Sequence, residues 1–165
     1  MREMIACLII GDSTGVGTAA ALAAQGIRCE VRAQVGVSSA TALARQAGAT
    51  AASHVLVAVG SNDPTNPSLR SNLLRLRRQL AKPRVTWLAP YDPIAAEAVR
   101  SVSVTYGDAV IPLAGFASRD RIHPTNYAPV AHAIGWQRPQ ARQVPTAAAG
   151  TRAKVPQRRA VVLSF

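Results

Sequence analysis

Five short apolar runs divide this chain. Each gives way to a turn and then to a helical pattern. The runs are Met4 to Ile10, Ile27 to Val35, His54 to Val59, Arg84 to Ala89 and Ala109 to Leu113. The helical stretches are Gly15 to Gln25, Ser38 to Ala47, Ser68 to about Ala81, Pro93 to about Val104 and Pro124 to Ile134, with Pro129 as a kink in the last. Strands that alternate with helices form a parallel sheet, because a parallel neighbour can be reached only by a crossover, and that crossover is right-handed. Ligands of such sheets bind beyond the carboxyl ends of the strands. The polar loops after strands one, two, three and five all fall at that edge.

Composition fits a globular core with a basic surplus. The chain is 48% hydrophobic, 16% charged and only 4% aromatic, so its core rests on Ala, Val, Leu and Ile, with Trp87 buried in strand four. The net charge of +11 suggests an anionic partner. However, six of the 19 basic residues crowd into positions 138–165 and six more into Leu69 to Arg84, with no interleaved aromatics for base stacking. The alternating pattern dissolves after Trp136. We therefore expect a domain over residues 1–136 and a mobile basic tail over 137–165 that contacts an anionic surface or nucleic acid. Cys7 and Cys29 fall in predicted strands and are expected as two buried thiols, with no spacing for a metal site or a disulfide framework. The first apolar run is too short to span a membrane and has no cleavage-like segment after it, so cytoplasmic residence is the default expectation.

The chemistry sits in the loops. After strand one comes Gly11-Asp12-Ser13, after strand two Gly36-Val37-Ser38-Ser39, after strand three Gly60-Ser61-Asn62-Asp63, and after strand five Asp120-Arg121-Ile122-His123-Pro124. Acyl transfer by a serine needs a nucleophile, a base, an orienter for that base and donors for the oxyanion. Ser13 can attack, His123 can take its proton, and Asp120 can hold the other imidazole nitrogen. Asn62 and backbone N–H groups can face the developing charge.

These blocks, in this order, resemble the SGNH or GDSL-type hydrolase family of esterases and lipases. The family's G-D-S stands at Gly11 to Ser13, its G-x-N-D at Gly60 to Asp63 and its D-x-x-H-P at Asp120 to Pro124. The resemblance spans roughly residues 4–135. It implies a three-layer α/β/α sandwich with a five-stranded parallel sheet in the flavodoxin-like order 2-1-3-4-5. It implies Ser13 as nucleophile, His123 as base, Asp120 as its partner, and Ser13 and Asn62 as oxyanion donors, with Asp12 and Asp63 bracing loops. The second block departs from the family pattern: Ser39 stands where the donating glycine falls, and a shifted frame puts Gly36 there instead. The expected activity is hydrolysis of a small carboxylic ester, acetyl esters included, through an acyl-serine. No metal or organic cofactor is implied.

Two other readings compete. The same fold can persist as a catalytically silent binding or structural protein. Gly11-x3-Gly15-x-Gly17 also resembles the dinucleotide turn of short-chain dehydrogenases, in which glycines admit a pyrophosphate to a helix N-terminus. That reading lacks a Tyr-x-x-x-Lys and an acidic residue closing strand two.

Overall fold

A computed structural model describes residues 6–46 and 48–137. The tail from position 138, the start of the first predicted strand and Ala47 lie outside the described residues. The elements run β1 (Cys7–Gly11), α1 (Ser13–Ala24), β2 (Glu30–Ala33), α2 (Ser39–Arg45), β3 (His54–Ala58), α3 (Leu69–Gln79), β4 (Arg84–Ala89), α4 (Pro93–Tyr106), β5 (Ala109–Pro112), a 3-10 turn at Leu113–Gly115, and α5 (Ala128–Ile134). The strands form one parallel sheet in the order β2-β1-β3-β4-β5. This is the three-layer sandwich expected from the alternation.

The strand period of two sorts the core into two layers. Val55 and Val57 of β3 join Leu8, Ile10, Val85 and Trp87 under α2, α3 and α4. Leu56 and Ala58 join Ile9 and Leu88 under α1 and α5. Helix α3 lays Leu69, Leu73 and Leu76 on the sheet, and Leu80 follows at its end, all essentially buried. Burying a leucine fully contributes about 1.5–3 kcal/mol, so this face outweighs the cost of a helix rich in arginine. Helix α4 starts on Asp92, which accepts from the N–H groups of Ile94 and Ala95, and stops at Gly107 in the left-handed conformation.

Three expectations are corrected. The last helix begins at Ala128 rather than Pro124. Asn126 Oδ1 accepts the Ala128 N–H, and Pro129 sits in the first turn, where its missing N–H costs nothing. Pro124 instead bridges back to Ser118. Strand β2 is shorter than its alternation suggests: Val31 and Val35 are 47% and 70% exposed, because β2 is an edge strand. The cysteines are not two thiols. The parallel register pairs Leu8 with Glu30, which brings Cys7 and Cys29 side by side one position earlier, and they form a disulfide with Cα atoms 4.7 Å apart.

One buried charge pair ties α3 to the turn between α4 and β5. Arg77 Nε and Nη2 grip Asp108 Oδ2 and Oδ1 at 2.7 and 2.9 Å, and Trp87 Nε1 donates to Oδ2 at 3.0 Å. The guanidinium also donates to the Leu80 carbonyl and lies 4.6 Å from the centroid of Tyr106. The two side chains are 9% and 5% exposed, so a lost partner leaves a charge in a poor solvent. Asp108→Ala should therefore lower unfolding stability by about 3–5 kcal/mol, measured by urea titration. The disulfide closes a separation of 22 residues. Reducing it with dithiothreitol should cost about 3 kcal/mol in the same titration by the loop-entropy estimate.

Candidate active site

The site begins where β1 ends. At Gly11 the chain passes so close to β3 that an added Cβ would lie 2.0 Å from the Ala58 carbonyl oxygen, so only glycine fits. The Asp12 N–H then donates to that same carbonyl at 2.9 Å. Asp12 caps α1: its Oδ1 accepts from Thr14 N and Thr14 Oγ1 at 2.9 and 2.7 Å. Asp12 is fully buried. Burial pushes its carboxyl above the ordinary aspartate value, opposed by the hydrogen bonds from Thr14. Asp12 thus braces the turn from behind, and Ser13, the first residue of α1, stands half-exposed at the carboxyl edge of the sheet.

Across that edge, Ser13 Oγ lies 2.8 Å from His123 Nε2, and His123 Nδ1 lies 2.7 Å from Asp120 Oδ2. A carboxylate can only accept, so Nδ1 carries the proton. The Nε2 lone pair then faces the serine hydroxyl, which donates to it. The loop holding Asp120 is tightly determined. Oδ1 accepts from Ile122 N and His123 N at 2.9 and 2.8 Å, and Ser118 Oγ lies 3.2 Å away. Hydrogen bonds from the His123 backbone, the His123 ring and the Ile122 backbone hold the Asp120 carboxyl well below the usual carboxylate range. Both side chains remain open to solvent, His123 at 42% and Asp120 at 49%.

The expected oxyanion donors divide. Asn62 is exposed on the loop after β3, and its Nδ2 donates to the Val37 carbonyl at 3.0 Å. An amide has two such hydrogens, so one remains for a substrate oxygen. Gly36 is exposed at φ +79°, and the hydrogen bonds of its turn do not use its N–H. The backbone N–H of Ser13 is among the orphan donors of the first turn of α1. Ser39 is withdrawn from this group. It is buried, its N–H donates to both oxygens of Asp63 at 3.1 Å, and its hydroxyl donates to the same carboxylate. A charged acceptor inside the protein holds such a donor firmly.

Four neighbouring residues were not singled out as parts of the site by their sequence pattern. Asn72 Nδ2 donates to Ser39 Oγ at 2.9 Å and completes the Asp63 brace. It is a polar residue on the apolar stripe of Leu69, Leu73 and Leu76, and that mismatch was the available signal. Ser118 accepts from Arg121 N at 2.9 Å while touching Asp120, an S-x-D turn readable in retrospect. Ser61 stands near Asp12, whose Oδ2 has no hydrogen-bond partner among the described residues. Tyr127 lies over Gly17, where an added Cβ would come 2.4 Å from the ring. Burial and the nearby charge of Asp12 push its hydroxyl up to about 12. The three glycines of the first turn are therefore each met by protein. Gly11 abuts Ala58, Gly15 packs on Ala33 and Ala58, and Gly17 lies under Tyr127. That packing accounts for all three without a pyrophosphate.

No family model matches the chain, and no curated protein matches it in sequence. Solved structures do. The C-terminal catalytic domain of peptidoglycan O-acetyltransferase A from Streptococcus pneumoniae superposes with a TM-score of 0.58 at 16% identity, over 79% of this chain and 90% of that one. A G-D-S-L family lipolytic protein from Desulfitobacterium hafniense aligns at 14% identity and a TM-score of 0.49, over 73% of this chain and 85% of that one. With its parallel sheet in the order 2-1-3-4-5 and helices on both faces, this chain has an SGNH-hydrolase-like fold.

Proposed function

We propose that this protein is a serine esterase that hydrolyses small carboxylic esters, acetyl esters among them, through an acyl-serine. One observation carries the reading: the serine hydroxyl, imidazole and carboxylate of Ser13, His123 and Asp120 stand in line at 2.8 and 2.7 Å. Ser13 Oγ attacks the ester carbonyl while His123 Nε2 takes its proton. The tetrahedral oxyanion rests on the N–H groups of Ser13 and Gly36 and the second hydrogen of Asn62 Nδ2. His123 then protonates the leaving alcohol, the acyl group stays on Ser13, and water, activated by the same imidazole, releases the acid. The exposure of His123 favours water as the acceptor. A hydroxyl compound in its place would give acyl transfer, the activity named for the pneumococcal neighbour. The Cys7–Cys29 disulfide favours an oxidising compartment over the cytoplasmic default.

A fluorophosphonate probe should label the wild type and leave Ser13→Ala unlabelled. Turnover of 4-nitrophenyl acetate should vanish in the same variant. Asn62→Ala should lower kcat by about 10²–10³, the usual effect of losing one oxyanion donor. Equal labelling of Ser13→Ala would overturn the assignment, and a folded wild type that neither labels nor hydrolyses would favour a silent binding protein.

Asp120 gives a pH test. Its folded pKa is depressed, so what its carboxylate adds to the loop is present above the ordinary value of 3.8 and is lost only as pH falls through the lower folded value. The pH profile of kcat/KM should therefore show no carboxylate inflection from Asp120 between pH 4 and 6. Asp120→Asn, which no longer forces the proton onto Nδ1, should lower kcat by about 10³-fold or more.

A further inference from the structure

We propose that Tyr127 is a positioning residue: its ring, seated in the notch left by Gly17, sets the approach of the His123 loop to the helix that carries Ser13. The assignment rests on the esterase reading above. The starting point is a glycine whose backbone does not need one. Gly17 lies inside α1 and is not among the glycines with positive φ. A helix interior of ordinary φ favours alanine over glycine. The missing methyl leaves room for a partner instead. A Cβ at position 17 would come within 2.4, 2.5 and 2.8 Å of Tyr127 Cζ, Cε2 and Cδ2, so one edge of the ring fills that space.

Where the contact falls gives it a use. Gly17 stands one helical turn after Ser13 on the same face of α1, and a helical Cβ tilts toward the N-terminus. The ring therefore packs on the turn that starts at Ser13. Tyr127 follows His123 at the same interval, and the chain between them has little play. Pro124 is buried and bridged to Ser118, the Thr125 N–H donates to the Ala117 carbonyl at 2.8 Å, and Asn126 Oδ1 accepts the Ala128 N–H at 2.9 Å. The same two segments thus meet twice. Ser13 and His123 meet through a 2.8 Å hydrogen bond, and one turn further on the ring meets the glycine. Burial, then the charges of Asp12, Tyr91 and Asp120, push the Tyr127 hydroxyl up, so the phenol end lies in the field of the carboxylates behind Ser13 and His123. That hydroxyl has no hydrogen-bond partner among the described residues, whereas the Tyr91 hydroxyl donates to the Phe116 carbonyl. The ring, not the hydroxyl, is what the contact uses.

The test reads the rate of fluorophosphonate labelling, which needs Ser13 and His123 in contact, and kcat for 4-nitrophenyl acetate, with urea titration as the measure of stability. Gly17→Ala puts a methyl where the ring stands. It should slow both reactions by about 10²-fold, the scale of a 1 Å misplacement, while KM moves little. Tyr127→Leu keeps an apolar side chain that stops short of Gly17 and should slow both by about ten-fold. In the Tyr127→Leu background Gly17→Ala should cost nothing further, because the clash is gone. Tyr127→Phe keeps the ring and should keep both rates. Val99→Ala, in α4 and the other core layer, should lower stability and leave both rates alone. Should Gly17→Ala fail to fold, the contrast between Tyr127→Leu and Tyr127→Phe decides. Wild-type rates in Gly17→Ala or Tyr127→Leu, additive losses in the double variant, a loss in Tyr127→Phe, or equal losses in Val99→Ala would overturn the proposal. A wild type without Ser13-dependent labelling or hydrolysis would overturn the esterase reading and this assignment together.

Discussion

The contact between the end of β1 and the end of β3 governs this molecule. There is no space for a side chain at Gly11, because the Ala58 carbonyl occupies it, and the same carbonyl then takes the Asp12 N–H. These two neighbouring strands are thereby pulled together at the point where the chain must turn from strand to helix. The turn cannot relax outward, since Asp12 is buried beneath it and bonded to Thr14. Ser13 is held at the rim by this geometry, and α1 follows from it. A residue larger than glycine at position 11 would move the hydroxyl away from His123, whatever the rest of the sequence did.

A second brace fixes the other side of the rim. Asp63 gathers the N–H and hydroxyl of Ser39 and the amide of Asn66, while Asn72 reaches Ser39 from α3. Asn62, next in the chain, donates to Val37 across the same gap. The loops after β2 and β3 are therefore one hydrogen-bonded unit. It carries the Asn62 amide, with the N–H of Gly36 just before it in the chain. The third loop is self-contained, with Asp120 as the acceptor around which Ser118, Ile122 and His123 are arranged. The result is a rim of hydrogen-bonded loops around a half-exposed serine.

Much of this was legible beforehand. The strand and helix alternation implied the parallel sandwich, because parallel strands leave few other ways to connect. The spacing Asp120 to His123 was readable as a local turn, and the structure closes it as one. What the pattern obscured has physical causes. Cys7 and Cys29 read as two core residues in two strands, and only the parallel register makes them neighbours. Ser39 looked equal to Gly36 as a donor until Asp63 took its N–H. Pro124 looked like a helix start, but a bridge to Ser118 holds it back and delays the helix to Ala128.

The sequence by itself determined the order of elements and the kinds of side chain delivered to the carboxyl edge of the sheet. Apolar periodicity and turn residues are local properties, and they act within a few positions along the chain. Only the tertiary structure decided which of those side chains meet. Ser13 and His123 are 110 positions apart, and their 2.8 Å contact depends on β1 standing inside the sheet, between β2 and β3, while α5 packs back against α1. The same is true of the donors: whether an N–H faces substrate or is taken by a carboxylate depends on a partner from another loop, and no short stretch of sequence specifies it.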